Sequence, residues 1–550
     1  MDRKTLIGFI LIGLILLFWP SYLELLSPQE TEQKSSDNPV VAEELLEKYS
    51  GENISTKTPV SNDVNVVETV IDGGLYVATV SSAGGGSITS FKIKNHLKKS
   101  ETSLDLIDNS NKDNLLVSFI NQSGETVVFD RAWSFSGEKK YVLSKDSPSI
   151  SLFYTTEVSG KVISKKLTFL HNSYSIDVET SLREIKGLSL DDKYTLSWVG
   201  GLPQTEGSQD AMFMEGLISQ AGNIDSYRVG SAGFFGGSSS EIERENKQYV
   251  GQSDFVGYRT KYFGVFFVPQ KSDLVEFSKY STNNRAGVDI GVVQDINFEK
   301  TTLFFGPLDY SAVSSLGVGL EKKILGWQWL SSVSWLVYTV MIFLYGLIPN
   351  YGVVVVLFAI LIKLVTYPLM AKQLRSSKKM QEISPELNRI KVKYKNNPTV
   401  QQQKIAALFQ ENKINPLAGC LPLLIQMPVL MAVFLVFRNT IEFRGESFFL
   451  WINDLSAADT LFYLGSIPFN VLPFLMAGSM YYTMKMSTAT QPSGGDPAQE
   501  ATQQMMKYMF PGMMFFLFYS FPSGLNLYYF CFNLMQIAQQ KIINNEPKSR

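Results

Sequence analysis

Residues 351–370 read YGVVVVLFAILIKLVTYPLM, and this stretch decides the architecture. At 1.5 Å per residue it is long and apolar enough to cross a hydrocarbon layer of about 30 Å. Lys363 interrupts it. A charge near the middle of such a helix costs about 2.5–3.5 kcal/mol. Snorkelling is a poor escape, because the next cation, Lys372, lies roughly 13 Å further along a helix axis. Lys363 is therefore expected to face water or a polar partner inside the membrane. The other apolar C-terminal segments carry no acid to pair with it. Intramembrane ionisable groups usually mark pathways, which favours a functional role.

Charge fixes the sidedness. Residues 372–415 hold Lys372, Arg375, Lys378, Lys379, Arg389, Lys391, Lys393, Lys395, Lys404 and Lys413 against Glu382, Glu386 and Glu411. The positive-inside rule makes this segment cytoplasmic. Ile383, Leu387, Ile390 and Tyr394 recur on one helical face, and Asn396-Asn397-Pro398 breaks the chain, so a helical hairpin is expected. Its basic surface, with Lys391, Lys393 and Lys395 near the turn, suits docking of something negatively charged.

The chain begins Met-Asp-Arg-Lys before an apolar run from Leu6 to Trp19, with no small-residue cleavage pattern after it. Residues 1–26 are expected to be an uncleaved signal anchor with its start in the cytoplasm. One crossing, at 351–371, then separates the region after the anchor from the basic hairpin. The tryptophan-containing stretch 319–350 is accordingly expected to be an amphipathic helix on the outer leaflet. Four further spans are expected at 416–437, 461–485, 505–521 and 522–543, with an outside loop at 438–460 and an inside loop at 486–504. The tail 544–550 is cytoplasmic on this scheme, making six spans with both termini inside.

The 550 residues are too many for one simple core. Mean hydropathy is +0.03, which hides a polar first part and a membranous second part. Residues 27–65, rich in Ser, Glu, Asn and Lys, are expected to be a flexible linker. Residues 66–318 show short alternating runs broken by Gly, Asn, Asp and Ser, as in KVISKKLTFL before His171-Asn172-Ser173 and YSIDVETSL after it. This pattern predicts an all-β sandwich. Cys420 and Cys531 are the only cysteines, so no disulfide staples the β region. The net charge of −2 gives no global basic signature, and no DNA partner is expected. No P-loop, nucleophile elbow or metal cluster is visible, so neither a cofactor nor covalent chemistry is expected.

Four motifs now stand in order: Tyr367-Pro368-Leu369; Asn415-Pro416-Leu417-Ala418-Gly419-Cys420-Leu421-Pro422 through Gln426-Met427-Pro428; Leu450-Trp451-Ile452-Asn453-Asp454-Leu455; and Phe521-Pro522-Ser523-Gly524-Leu525. Together they resemble the YidC/Oxa/Alb family of membrane protein insertases over roughly residues 320–543. A large outside domain after a signal anchor is similar to the Gram-negative YidC type. The resemblance implies a periplasmic β-supersandwich, location in the cell inner membrane and no enzymatic activity. It implies insertion and folding of nascent integral membrane proteins, by the protein itself or with the Sec translocon. Membrane lipid, the ribosome and the targeting machinery are the implied partners.

The family's polar groove, open to cytoplasm and lipid, would comprise Lys363, Gln426, Tyr528, Tyr529, Asn533 and Gln536. The family usually carries Arg at the position of Lys363; Lys keeps the charge but cannot form a bidentate fork. A greasy slide for the incoming helix would comprise Met427, Leu430, Met431 and Phe434 with Phe515, Phe518 and Tyr519. Lys391, Lys393 and Lys395 would serve cytoplasmic docking. Two rivals remain: an ion-coupled solute transporter using Lys363, and an envelope enzyme acting on glycans through the β domain. No internal repeat supports the first, and no compact acid pair supports the second.

Overall fold

The computed structural model describes residues 65–98, 101–229, 242–282, 285–326, 330–412, 421–465, 467–488 and 504–544. The expected anchor, most of the linker and the expected 486–504 loop, apart from residues 486–488 and 504, lie outside them. The chain divides into two units, residues 1–321 and 322–550.

The first unit is a β structure of three large sheets, with five, nine and six strands. The nine-stranded sheet is built around the antiparallel strands Ser149–Val158, Lys161–Leu170, Ser175–Ser181 and Lys300–Pro307. The six-stranded sheet centres on Lys193–Trp198, Arg285–Asp295 and Leu274–Thr282. Alternation makes these strands what they are. In Lys161–Leu170 every second residue (Ile163, Lys165, Leu167, Phe169) is buried, and Thr168 and its like face out. The sheets meet through aromatic rings. Phe305 of the nine-stranded sheet lies 4.5 Å from Phe91 of the five-stranded sheet and 4.8 Å from Trp198 of the six-stranded one. Such contacts add to the burial of large apolar surface.

The same alternation forces Lys165 into this core. Its Nζ donates to the carbonyls of Gly84, at 3.3 Å, and Leu115, at 2.5 Å. One ammonium thus ties three sheets: Lys165 stands on the nine-stranded one, Leu115 on the six-stranded one, and Gly84 in the turn between two strands of the five-stranded one. Leu115 sits at φ +54°, an uncommon conformation for a branched residue. Burial pulls the Lys165 ammonium down to about 7. The unfolded chain keeps that proton up to the ordinary lysine range. Between the two the unfolded state therefore binds more protons, and stability rises with pH. Urea unfolding of the intact protein in detergent, followed by tryptophan emission, should show a gain of roughly 3 kcal/mol between pH 7 and 9.5 from this group. Lys165→Met should abolish that rise; an unchanged slope in the variant contradicts the assignment.

The second unit is helical. Its elements are α1 (Ser331–Leu347), α2 (Tyr351–Glu382), α3 (Ser384–Lys393), α4 (Pro398–Glu411), α5 (Leu421–Asn439), α6 (Leu472–Thr488), α7 (Phe510–Phe518) and α8 (Ser523–Asn544). Only α2 is long and apolar enough to cross a membrane by itself, over Tyr351–Ala371, among the described residues. The core of the unit is a cluster that includes Val337, Met341, Val354, Phe358, Val436, Phe437, Leu455, Leu525 and Tyr528.

Four boundaries differ from the sequence reading. Segment 319–350 is not one amphipathic helix: α1 starts at Ser331, and its exposed face is itself apolar, with Trp335, Leu336, Phe343 and Leu347. The expected hairpin does not start at 372: α2, apolar over Tyr351–Ala371, runs unbroken to Glu382, and α3 begins at Ser384. The stretch 461–485 is not one helix. Thr460–Leu464 and Ile467–Asn470 form an antiparallel hairpin, and α6 begins only at Leu472. Gly465, at φ +64°, makes the turn. The helix expected over 505–521 is a π turn, Met505–Met509, followed by the short α7 ending at Phe518.

Candidate functional site

Lys363 lies mid-way along the apolar part of α2. Its neighbours Leu361, Leu364, Val365 and Tyr367 are exposed, whereas Lys363 itself is only 6% exposed. The helix thus turns its apolar side chains outward and its charge inward, against α8. The Lys363 ammonium donates to Gln536 Oε1 at 2.5 Å. It also sits 3.4 Å from the centroid of the Phe532 ring, whose negative face attracts a cation. No acidic side chain pairs with Lys363 among the described residues. The positive charge is held by an amide oxygen and a ring, neither of which cancels it.

Polar groups gather around this pair. Asn533 Nδ2 donates to Ser479 Oγ on α6 at 3.3 Å. Ser479 and Thr483, four residues apart on α6, bond back to the carbonyls of Met476 and Ser479. Gln539 Nε2 reaches the Tyr367 carbonyl on α2 at 3.5 Å. Gln540 is 1% exposed, and neither its amide nitrogen nor its oxygen has a partner. A buried unpaired amide costs about 1–3 kcal/mol, so its retention marks a place where polarity is kept at the expense of stability.

The unit therefore has two halves. Toward the loop 440–459, α2, α5 and α8 meet in the apolar cluster. Toward the Asn544 end, α2, α6 and α8 meet in a patch of Lys363, Asn533, Gln536, Gln539, Gln540, Ser479 and Thr483. Structure brings together three of the expected groove residues, Lys363, Asn533 and Gln536. Tyr528 belongs elsewhere: it is fully buried, with its ring 5.9 Å from both Phe358 and Phe532, and its hydroxyl lacks a partner. Tyr529 packs edge-on against Phe518 at 5.0 Å, within the same aromatic group. The side chain of Gln426 lies outside the described residues.

Sequence reasoning missed Ser479, Thr483, Gln539 and Gln540. A signal existed: Asn526, Asn533 and Gln540 recur at intervals of seven along α8, with Gln536 between them, which puts them on one face.

The expected slide residues are spread over two helices. On α5, Met427 is exposed, while Leu430, Met431 and Phe434 are partly buried against the core. Phe434 and Phe518 both contact Phe521, at 5.5 and 5.0 Å. Phe515 lies among Phe474, Phe516 and Tyr519. Tyr519 is tied down, its hydroxyl donating to the Pro468 carbonyl of the hairpin.

In the α3–α4 arm, Ile383, Leu387 and Leu408 form a small core with Met380, Ile390, Ile405 and Phe409. Asn397 caps α4 by accepting from Val400 N at 3.3 Å. Lys393 and Lys395 are exposed on the arm and Lys391 is half-buried.

The loop 440–459 has its own reason for existing. Asp459 Oδ2 accepts from Trp451 Nε1 at 3.0 Å, Val471 N at 2.9 Å and Leu472 N at 2.6 Å, closing the start of α6. Asp454 accepts from Gly445 N and Ser456 N. Its carbonyl receives Ser523 Oγ at the start of α8. The Leu450–Leu455 and Phe521–Leu525 motifs thus meet and lock one end of the bundle.

Comparisons with known proteins match two families, which part within α1. A family described as the YidC periplasmic domain matches residues 68–337, and one described as the 60Kd inner membrane protein matches residues 343–550. A relative from Chlorobaculum parvum, named Membrane protein insertase YidC, is 31% identical over 99% of this chain and 94% of its own length. One of the same name from Chloroherpeton thalassium is 32% identical over 100% of this chain and 97% of its own. Among solved structures, a galactose mutarotase related enzyme from Lactobacillus acidophilus covers 44% of this chain and 97% of its own, at 8% identity and a TM-score of 0.23.

Proposed function

The chain belongs to the YidC family of membrane protein insertases, and we propose that the patch around Lys363 is the polar surface over which it moves its substrates. As a member it is an inner-membrane insertase of nascent membrane proteins, not an enzyme, with a large all-β periplasmic domain.

The reading takes six spans, with both termini in the cytoplasm. They are residues 1–26, the apolar part of α2, α5, α6, the helix ending at Phe518, and α8. The loop 440–459 then faces the periplasm and the α3–α4 arm the cytoplasm. The polar patch falls in the cytoplasmic half and the apolar cluster in the periplasmic half. A short polar or acidic tail could enter the patch from the cytoplasm, drawn by the uncancelled charge of Lys363. Amides of Asn533, Gln536 and Gln540 would replace part of its water. The apolar helix behind the tail would leave past α5 and α7, over Leu430, Met431, Phe434, Phe515 and Phe518. No nucleotide is needed: hydrophobic transfer and the membrane potential acting on the tail supply the work.

Lys391, Lys393 and Lys395 support a receiving role for the arm toward the ribosome or targeting factors, through contacts that weaken with salt. Partnership with a Sec translocon is compatible with the same geometry. The observation that carries this reading is a buried lysine bonded to an amide rather than to an acid. Its test is reconstitution. Vesicles holding the purified protein should protect the translocated acidic tail of a small membrane protein from external protease. Asn533→Leu with Gln536→Leu should reduce that protection; equal protection by the double variant would sink the patch as the pathway.

A further inference from the structure

The hairpin Thr460–Asn470 has no role in the pathway described above. It is joined firmly to the bundle. Asn470 Nδ2 donates to the Tyr519 carbonyl at 2.6 Å, and Thr460 Oγ1 bonds Asn470 Oδ1 at 2.7 Å. Stacked rings continue the attachment: Phe462 on Phe469 at 4.8 Å, Phe469 on Phe474 at 5.3 Å, and Phe474 by Phe515 at 4.6 Å. The hairpin thus sits on the starting end of α6 and the finishing end of α7.

Its remaining surface is apolar on both faces. Phe462 and Leu464 point one way and Tyr463 the other, yet these three and Leu461, at an irregularity of the strand, are all exposed, Tyr463 to 68%. Ile467 is 66% exposed. A hairpin lying in water would offer it a polar face; among the described residues this one has none. No charged residue occurs between Asp459 and Lys485. The apolar surface runs on into Phe474 and Leu475 of α6 and Phe516 of α7, the last 79% exposed.

The hairpin stands where α6 begins and α7 ends, on the same side of the unit. Its open strand edges keep it out of the hydrocarbon centre, where unpaired backbone groups are not tolerated. The boundary between headgroups and acyl chains accepts them, and suits Tyr463.

We infer that the Thr460–Asn470 hairpin is a lipid-binding anchor in the outer leaflet, continuing the exposed apolar surface of α6 and α7 with its own side chains. This rests on reading those two helices as spans. The partner is the acyl-chain and headgroup boundary, reached by Leu461, Tyr463, Leu464 and Ile467.

The test uses the full chain with Cys420→Ser and Cys531→Ser, first shown to keep its insertion activity. Leu464→Cys and Ile467→Cys are labelled with bimane and reconstituted in phosphatidylcholine vesicles. Phe516→Cys reports a span and Ser123→Cys reports water. With bromines placed near the headgroup, labels at 464 and 467 should lose at least about half of their emission, and less with bromines at the chain ends. Aqueous iodide should quench them far less than the label at 123. Iodide quenching equal to that at 123, with Phe516→Cys still quenched by bromolipid, overturns the anchor and leaves the spans standing. Loss of bromolipid quenching at 516 as well overturns the span reading and the anchor with it. Shielding of 464 and 467 from both quenchers assigns the surface to a second protein copy, and also overturns it.

Discussion

Lys363→Glu should abolish insertion of substrates with acidic tails, while Lys363→Arg keeps most of it. The reason lies in what surrounds the ammonium. Gln536 Oε1 and the face of the Phe532 ring are both electron-rich. A carboxylate there would meet two repulsive neighbours and would repel the tail it should attract. Arg restores a donor and a charge, though its planar head fits a single amide oxygen less closely than an ammonium does. Lys363→Met separates charge from shape. It keeps the stem's packing but removes the charge, so acidic tails should suffer and uncharged tails should not. A charge placed mid-membrane involves about 2.5–3.5 kcal/mol, so the Glu variant should insert acidic tails roughly a hundredfold more slowly, a practical loss of insertion. Equal insertion of acidic tails by the Met variant and the native protein would remove charge from the account.

Asp459→Ala should produce the largest loss of stability in the helical unit outside its apolar cluster. One carboxylate oxygen satisfies the indole of Trp451 and the first two amides at the start of α6. Removing it leaves three donors without that acceptor in a mostly buried setting. The expected cost is about 2–4 kcal/mol, above the usual penalty for a lost helix cap. Thermal unfolding in detergent should show a lower midpoint for Asp459→Ala and a smaller drop for Asp459→Asn, which keeps an oxygen. Insertion should fall in parallel, because α6, which carries Ser479 and Thr483, hangs on this residue. A melting point unchanged by the Ala variant would show that the loop is held by other contacts.

Much of this was legible in the sequence, for reasons that can be named. Strand alternation marked the β region, since a half-buried strand writes its burial directly into its residues. Lys363 stood out because an apolar helix leaves a charge nowhere to hide. Other features were obscured by the same rules. The run from Phe462 to Met484 is apolar throughout, and neither helix nor strand period separates its first part from its second. Gly465 and Pro468 were the available clues, a residue suited to positive φ and one awkward inside a helix. Tyr528 carries a hydroxyl, which suggested the polar patch, but its ring decides its place among Phe358, Phe437 and Phe532. Lys165 went unnoticed because a lysine in an alternating strand reads as a surface residue until its register is known. Ser479 and Thr483 are small and uncharged, so they hardly disturb the apolar pattern of α6.

A nascent chain that uses the proposed pathway passes over the patch beside Lys363, and site-specific photocrosslinking detects that passage. A photoreactive residue placed at Asn533, Gln536, Leu430 or Phe153 of the intact protein is exposed to a ribosome-stalled membrane protein with a short acidic tail. Crosslinks from 533 and 536 to the tail, and from 430 to its apolar helix, with none from the β-domain position 153, are the predicted result. Crosslinks confined to position 153, with 533, 536 and 430 silent at every chain length, would contradict it.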